Sequence, residues 1–324
     1  MSTAVVRTSE GWWVQRADGR IHPVETDAGT TAELLADRPA VERADRAEGG
    51  WEEGGWEELG SRELLSPVTS PCRVVAQMVN YRSHAIDSGF DPELVPTAFF
   101  RKASGSVTGP TAEIVRPGHV RLLDYEVELG LVLGAPLPLD TDVTSATLGR
   151  YVAALVVAND ISARDLQLPK TQFYESKSYP TFTPLGPRLL LVDEDDLASL
   201  ERLRLVCTVN GEVRQDSPAT DMITKPDRAL TALARFQTMA PGDVLLTGTP
   251  GGTALRSPGK ALELIGSLLP PAKKWQVFFA RQAKNPAYLK PGDIVTTSIA
   301  TPDRSLDLGT QRTPVRAATP KEHS

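Results

Sequence analysis

The sequence predicts an α+β fold that is mainly β, and three observations support this. Short β-rich runs separated by Gly and Pro recur along the 324 residues. They are CRVVAQMV, EVELGLVLG, YVAALVVAND, RLRLVCTVNGEVR, DVLLTG and DIVTTSIA. Long helical periodicity is scarce, with KPDRALTALARFQTM and the 255–285 region as exceptions. Finally, 40% of the residues are hydrophobic and 23% are charged, which is typical of a globular chain with a sizeable core. A core of mixed sheets is therefore favoured over a doubly wound fold.

The chain begins with a predicted small β-rich N-terminal domain over residues 1–68. The stretch TAVVRTSEGWWVQRADGRIHPVE contains two strand-like runs around Asp18-Gly19, a dipeptide typical of hairpin turns. The charged, Gly-punctuated stretch that follows predicts a helix and a linker. The main domain then spans 69–316, with an inserted segment at about 254–289, and 317–324 form a loose tail.

Composition narrows the classes of partner. The net charge is −6 and no Lys/Arg-rich run occurs, which argues against nucleic acid and an anionic membrane. No window approaches the roughly 20 apolar residues of a membrane-spanning helix, and the first residues lack a leader pattern. Cys72 and Cys207 lie in apolar runs and are predicted to be buried free thiols. We therefore expect a cytoplasmic protein that binds small molecules.

The most unusual run is LLDYEVELGLVLG, Leu122 to Gly134, in which acids interrupt a strand-like pattern. If the run is one strand, Asp124, Glu126 and Glu128 share one face and the apolar residues share the other. Each ionised pair of neighbouring acids would repel by about a few kcal/mol unless something neutralised it. The pattern therefore predicts a bound cation.

A fourth acid follows the apolar run YVAALVVAND, which breaks at Asn159-Asp160. Asp160 could join Glu126 and Glu128 in an all-oxygen site, which prefers Mg²⁺, Mn²⁺ or Ca²⁺ over Zn²⁺. Alternatively, Asp160 only caps a turn through its own backbone. The spacing alone leaves both interpretations open.

The run NYRSHAIDSG contains the histidine with the most promising neighbours. His84 and Asp87 are spaced i, i+3 and can meet if the segment is helical, so that the carboxylate orients an imidazole acting as a general base. The alternative is a surface histidine in a polar loop. Lys177 and Lys102 lie beside aromatic and small polar residues, where a cation can stabilise an oxyanion. A solvated lysine is the alternative for either one.

Eight motifs in fixed order closely resemble those of the fumarylacetoacetate hydrolase family across about residues 72 to 316. They are NYRSHAID, FFRKASGSVTGP, DYEVELGLVLG, VVANDISARDLQ, KSYPTFTPLGP, VNGEVRQD, PGDVLLTGTPGG and LKPGDIV. The resemblance implies a mixed β-roll core, a homodimer, and Mg²⁺ or Mn²⁺, with Ca²⁺ as a third choice, bound through Glu126, Glu128 and Asp160. It also implies that Asp124 orients its neighbours.

The same resemblance implies individual roles for the remaining polar residues. His84 would be the water-activating base with Asp87 beside it, and Lys177 would stabilise the oxygen next to the metal. The implied substrate contacts are Tyr81, Arg164, Gln167 and Thr249. Two departures stand out: Asp87 replaces the Glu of many acylpyruvate-cleaving members, and 254–289 replaces a brief loop. In that insertion, KALELIGSLL and KKWQVFFARQ show helical spacing.

The resemblance implies hydrolysis of a carbon–carbon bond in a β-diketone or acylpyruvate-like acid. Decarboxylation, tautomerisation or isomerisation, and hydration of a 2-oxo acid are enzymatic alternatives, because an enolate stabilised by a divalent cation serves all of them. A non-catalytic member that keeps the metal site is an alternative from another class.

Overall fold

The computed structural model describes residues 2–47, 55–170, 173–257 and 270–319. The strands are β1 (Thr3–Thr8), β2 (Gly11–Gln15), β3 (Ile21–Pro23), β4 (Val74–Met78), β5 (Ala98–Lys102), β6 (Val107–Thr108), β7 (Ile114–Arg116), β8 (Leu123–Asp124), β9 (Val127–Leu133), β10 (Val152–Asn159), β11 (Ser162–Ala163), β12 (Thr183–Pro184), β13 (Leu189–Leu191), β14 (Arg204–Val209), β15 (Glu212–Pro218), β16 (Val244–Leu246), β17 (Ile294–Ala300) and β18 (Asp307–Ala317).

The α-helices are short and lie between these strands. They are α1 (Thr31–Ala36), α2 (Arg38–Asp45), α3 (Arg82–Asp87), α4 (Arg164–Lys170), α5 (Phe173–Ser176), α6 (Glu194–Ala198), α7 (Pro226–Ala234) and α8 (Pro271–Gln282). Strand residues outnumber helical ones, which confirms the predicted mainly β, α+β fold. The six β-rich runs quoted above contain β4, β9, β10, β14, β16, β17 and the start of β15, and α7 lies in KPDRALTALARFQTM.

Within the described ranges, the larger sheet has nine strands in the order β3-β2-β1-β13-β10-β9-β16-β4-β5. Strand β9 lies near its middle and pairs antiparallel with β10 and β16. Every residue of β9 is buried because both faces of the sheet are covered. The strand that carries Glu128 therefore lies in the interior of the protein.

A second sheet and two helices cover the two faces of the larger sheet. The second sheet has the order β15-β14-β17-β18-β7. Leu129 and Leu131 of β9 share one apolar core with Leu205 and Ile299 of that sheet. On the other face, Val132 belongs to a core that also contains residues of α1 and α2. Burial of this apolar surface on both faces holds β9 and β10 in place.

The N-terminal segment forms three strands where two were predicted, and these strands extend the larger sheet. β1 pairs antiparallel with β13, with Thr3 opposite Leu191. The Asp18-Gly19 turn joins β2 to β3, as the sequence indicates. The boundary near residue 68 stays a prediction.

The inserted segment is partly described. KKWQVFFARQ lies within α8, as its spacing predicts, whereas KALELIGSLL falls outside the described residues. Among the described helices, none has the length and apolar character that crossing a membrane requires. Cys72 and Cys207 are both free thiols; Cys207 is buried and Cys72 is partly buried.

Candidate active site

Strand register brings Glu126, Glu128 and Asp160 together. In the antiparallel pair of β9 and β10, Glu128 lies opposite Ala158. One step beyond the end of the ladder, the Asp160 N–H donates to the Glu126 carbonyl oxygen at 2.8 Å. One carboxylate oxygen from each of the three acids lies within 4.8 Å of the others. The sequence prediction that Asp160 joins Glu126 and Glu128 is therefore confirmed: Glu128 lies on β9, Glu126 directly precedes β9, and Asp160 directly follows β10.

The acid-bearing run is not a single strand, so the prediction of one shared face for its three acids is wrong. β8 ends at Asp124 and β9 begins at Val127. Asp124 turns instead toward the inserted segment, where its carboxylate accepts from the N–H groups of Ala254 at 2.8 Å and Leu255 at 3.1 Å. It also accepts from Arg164 Nε at 2.8 Å. Asp124 thus orients its neighbours and lies outside the metal-ligand cluster, as the resemblance implies.

Three buried cations contact the acids. Lys177 Nζ lies 2.7 Å from Glu126 Oε2 and 2.6 Å from Asp160 Oδ2. Lys102 pairs with the other oxygen of Asp160. Arg164 pairs with both Glu126 and Asp124, and it also donates to Gln167 Oε1 at 2.8 Å. Four buried carboxylates therefore face three buried cations in this cluster.

Glu128 is the acid that this balance leaves without a cation. No described Lys, Arg or His forms an ion pair with it, and its carboxylate accepts from the Gly248 N–H at 2.7 Å. Burial, followed by repulsion from Asp160 and Glu126, raises the pKa of Glu128 well above its usual value. Gly248 has φ +83°, and an added Cβ would lie 2.9 Å from the Asn80 Cβ, so a glycine is required where the backbone approaches the carboxylate.

Protonation in the rest of the cluster follows from the ion pairs. Burial would lower the pKa of Lys177, but Asp160 and Glu126 outweigh it and hold that pKa above its ordinary value. Burial would raise the pKa of Glu126, but Arg164 and Lys177 outweigh it and hold that pKa below its usual range. Burial dominates for Lys102 and lowers its pKa despite the contact with Asp160. Lys177 is therefore a cation and Glu126 an anion at neutral pH.

The donor set fits a divalent cation. All three candidate ligands offer carboxylate oxygens, which Mg²⁺, Mn²⁺ and Ca²⁺ prefer. Glu128 contacts no described cation and favours its protonated form, and a bound divalent ion would favour the ionised form, which can act as a ligand. The acidic cluster can therefore hold a divalent ion, with Glu126, Glu128 and Asp160 as its ligands.

His84 and Asp87 both lie on α3, but the predicted contact between them is absent from the described structure. Asp87 Oδ2 accepts from the Gly252 N–H at 2.9 Å. His84 is buried, and its Nδ1 has no hydrogen-bond partner among the described residues. Burial lowers the pKa of His84 below 6.5, and Arg164 and Lys177 add to this effect while Glu126 and Asp124 oppose it. His84 is a neutral imidazole at neutral pH.

A cavity of about 1140 Å³ opens beside the acids. Its buried lining, which we call the floor, is entirely polar: Gln77, His84, Glu126, Glu128, Arg164, Gln167, Lys177 and Thr249. Its exposed lining, which we call the rim, consists of Met78, Phe90, Arg256, Val277, Arg281 and Lys284. The site thus combines a charged, buried interior with an open mouth.

The cavity contains most of the residues that the resemblance implies, with three exceptions. Asp160 lies beneath the surface, covered by Lys102 and Lys177. The Asp87 carboxylate binds the Gly252 N–H just before the inserted segment, and its carbonyl oxygen accepts from the Ser257 N–H at 2.8 Å. Tyr81, implied as a substrate contact, is fully buried in the apolar core that also contains Leu129 and does not line the cavity.

Sequence reasoning missed two groups of lining residues. Gln77 lies within the apolar run CRVVAQMV and belongs to no motif. Most rim residues, and the partly buried aromatic residues Trp275 and Phe278, come from the inserted segment, which the motif order skips. The helical spacing of KKWQVFFARQ was the one available signal for the latter group, and it indicated a helix without showing which face meets the cavity.

Comparison with known families gives one match over most of the chain. The family described as "Fumarylacetoacetate (FAA) hydrolase C-terminal" matches residues 73–316. An uncharacterised protein of Staphylococcus aureus (strain USA300) is 34% identical over 244 residues, covering 73% of this chain and 78% of that protein.

Two mitochondrial proteins called oxaloacetate tautomerases are also similar. The Rattus norvegicus protein is 36% identical over 192 residues, covering 59% of each chain. The Homo sapiens protein is 37% identical over 193 residues, covering 59% of this chain and 60% of that one. The matched part is thus less than two thirds of these relatives.

Solved structures share the fold across nearly the whole chain. A protein of Mycobacterium abscessus described as a "probable 2-hydroxyhepta-2,4-diene-1,7-dioate isomerase" has a TM-score of 0.72 at 27% identity, covering 99% of this chain and 100% of that one. A fumarylacetoacetate hydrolase of Exiguobacterium antarcticum has a TM-score of 0.69 at 26% identity, covering 98% of this chain and 100% of that one.

Proposed function

The chain belongs to the fumarylacetoacetate hydrolase family, and on this premise we propose that it is a divalent-cation-dependent enzyme that interconverts the keto and enol forms of a 2-oxo acid. The sequence favoured carbon–carbon bond hydrolysis, with tautomerisation as an alternative. The names of the similar proteins support the alternative, since two are called oxaloacetate tautomerases and one an isomerase.

One observation in the site carries this preference. Hydrolysis requires a base that removes a proton from water, and the implied base was His84 assisted by Asp87. In the structure, Asp87 accepts from the Gly252 N–H, and His84 has no carboxylate partner among the described residues. A neutral imidazole without such a partner remains suited to moving a proton between a carbon and an oxygen of one substrate.

We assign the proton transfer to His84. Its ring lines the cavity and is neutral at pH 7, so it can accept the proton from C3 of the 2-oxo acid and return a proton to the enol oxygen. No water needs to be bound or cleaved in this reaction. Both atoms that exchange a proton with His84, C3 and the enol oxygen, therefore belong to the substrate.

Lys177 stabilises the negative charge that develops on the enolate oxygen. It remains protonated because Asp160 and Glu126 hold its pKa above the ordinary value. It is also buried, where a fixed charge acts more strongly than in water. A divalent ion held by Glu126, Glu128 and Asp160 would supply further Lewis acidity to the same oxygens.

For Arg164 we propose a role other than the substrate contact implied by the resemblance. Its guanidinium contacts Asp124, Glu126 and Gln167, and its pKa is raised: burial would lower it, but the two carboxylates outweigh that effect. We propose that Arg164 mainly fixes the position of Glu126 and of the inserted segment, through Asp124. A distal group of the substrate then requires other partners.

The test follows the ultraviolet absorbance of the enol form of oxaloacetate as it converts to the keto form. We expect the protein with Mg²⁺ or Mn²⁺ to accelerate this decay well beyond a blank with the metal alone, and EDTA to remove the acceleration. An acylpyruvate is offered in parallel, with release of pyruvate as the readout. If cleavage of the acylpyruvate outpaces tautomerisation, the hydrolase interpretation replaces ours. Carbon dioxide release above the blank would instead favour the decarboxylase.

A further inference from the structure

The cavity changes character from the floor to the mouth. Its volume of about 1140 Å³ exceeds the roughly 300–1,000 Å³ common for small-ligand sites, and a four-carbon acid would occupy only part of it. Lys177, Glu126 and Glu128, the charged groups proposed for enolisation that line the cavity, all lie in the buried floor, and Asp160 lies beneath it. The remaining space is therefore available for a larger part of the substrate.

An aromatic band lies between the floor and the rim. Phe100 is next to the floor, since Lys177 Nζ lies 5.2 Å from its ring centroid. Phe173 contacts Phe100 edge-on, with 5.3 Å between the ring centroids. On α8, Trp275 and Phe278 contact each other at 5.8 Å. All four rings line the cavity and are partly buried, so the middle of the cavity suits an aromatic or extended apolar group.

The rim carries three cations, Arg256, Arg281 and Lys284. Each is exposed, and none forms an ion pair with a carboxylate of the described residues. Other exposed arginines are paired, as in the contacts of Arg204 with Asp216 and of Arg202 with Asp303. Among the described residues that line the cavity, the acids are Glu126 and Glu128, and both lie in the floor. In a chain of net charge −6, this mouth is a local positive region.

The inserted segment that carries the rim is tied to the catalytic floor at both ends. At its start, Asp124 binds the Ala254 and Leu255 N–H groups and also Arg164. At its end, the Leu289 N–H donates to the Leu123 carbonyl oxygen at 2.8 Å, next to Asp124. Asn285 joins the two ends of the segment by donating to the Ala254 carbonyl oxygen at 2.9 Å. A substrate held at the floor therefore has the rim at a fixed place along its length.

We propose that the substrate is a 2-oxo acid with an aromatic or extended apolar middle and a second carboxylate at its far end, which Arg281, Lys284 and Arg256 bind. This inference rests on the proposed function for the identity of the reacting end. The rim selects the distal anion, the band accommodates the apolar middle, and the floor enolises the 2-oxo group. The insertion thus determines which 2-oxo acid is used.

The experiment compares phenylpyruvate with 4-carboxyphenylpyruvate, which differ only in the distal carboxylate. With Mg²⁺ present, calorimetry measures Kd for both, and the enol absorbance gives KM and kcat. We expect the wild type to bind the carboxylated compound about tenfold more tightly, since this is the order of two exposed charge pairs. Arg281→Glu combined with Lys284→Glu should abolish this preference, while Kd for phenylpyruvate changes less than about twofold.

The matched control carries Lys273→Glu and Lys290→Glu. Both lysines are exposed and lie outside the cavity lining, one on α8 and one after it, so net charge changes equally. This control should keep the wild-type preference. The proposal is overturned if the wild type binds both compounds alike, or if the control loses the preference as the rim variant does. A binding preference without tautomerisation would support the rim and refute the proposed function. Tautomerisation without a binding preference for the carboxylated compound would support the proposed function and refute the role of the rim.

Discussion

The floor and the rim of the cavity differ in how their charged side chains are held. In the floor, Glu126 contacts two cations and Lys177 contacts two carboxylates, and all are buried. In the rim, Arg281 and Lys284 are exposed and without ion pairs to described residues. Removing one partner of a buried pair typically costs about 3–5 kcal/mol, whereas an exposed pair contributes about 0–1 kcal/mol. The chemistry is thus fixed by the β core, and the choice of substrate can vary with the insertion.

The sharpest test of the floor is Glu128→Gln, for which we expect the largest effect. Losing one of three anionic ligands should reduce Mn²⁺ affinity in calorimetry by at least about 100-fold and abolish tautomerisation. Glu194→Gln, an exposed change of the same kind, should alter neither. Equal Mn²⁺ affinity in Glu128→Gln and the wild type would show that Glu128 is no ligand.

The same variant should be more stable than the wild type without metal. The raised pKa of Glu128 means that the folded state favours the protonated acid, so its contribution to stability is present at low pH and is lost as pH rises through the folded pKa. Replacing Glu128 with glutamine avoids this loss and should raise the free energy of unfolding by about 1–3 kcal/mol at neutral pH. Denaturant unfolding in EDTA measures the difference, and a destabilised Glu128→Gln would contradict it.

His84 also belongs to the floor, and the substitution His84→Gln should separate proton transfer from metal binding. We expect Mn²⁺ affinity to be unchanged and kcat to fall by about 10²–10⁴-fold. Because burial lowers the pKa of His84 below 6.5, the wild-type rate should decline only at pH values below 6.5, as the ring becomes protonated. That acid limb should be absent from His84→Gln. Full activity in this variant would assign the proton transfer to another group.

The smallest effect is expected for Asp87→Glu, at the contact between α3 and the insertion. If Asp87 were a shortened catalytic acid, the longer side chain would raise hydrolysis. In the structure it binds the Gly252 N–H, and an added Cβ at Gly251 would lie 3.0 Å from its Oδ2, so little room is available. We expect no gain in acylpyruvate cleavage and a loss of about 1–2 kcal/mol in denaturant unfolding. Asp87→Asn, which keeps an acceptor oxygen, should be milder. Faster acylpyruvate cleavage by Asp87→Glu would instead support a catalytic role for the pair of His84 and Asp87.

The sequence predicted the strands and the acidic cluster, because these depend on patterns within short runs of the chain and on the pairing of neighbouring strands. The β-rich runs became strands because their apolar residues are buried on the two faces of the sheet, and Asp160 met Glu126 because β9 and β10 pair in register. The acidic cluster could be predicted because charged side chains inside a buried run are costly unless they are paired, hydrogen-bonded or bound to a metal. A homodimer and a cytoplasmic location stay predictions.

The rest depended on contacts between residues far apart in the chain. Asp124 binds Arg164 and Ala254, and Asp87 binds Gly252. No spacing rule links such distant positions. Spacing within a helix predicted only that His84 contacts Asp87, and this contact is absent from the described structure. The rim was missed for a related reason: an exposed lysine or arginine looks like any solvated charge until the fold places it at the mouth of a cavity.

In the proposed reaction, the floor enolises a 2-oxo acid and leaves its carbon skeleton intact. Proton NMR of oxaloacetate in D₂O with Mg²⁺ tests it, because enolisation exchanges the C3 protons for deuterium. We predict that the wild type accelerates loss of the C3 proton signal well beyond the Mg²⁺ blank, that Glu128→Gln does not, and that the enzyme adds no pyruvate to that formed in the blank. Exchange no faster than the blank, or pyruvate formed by the enzyme in step with the loss of signal, would contradict the account.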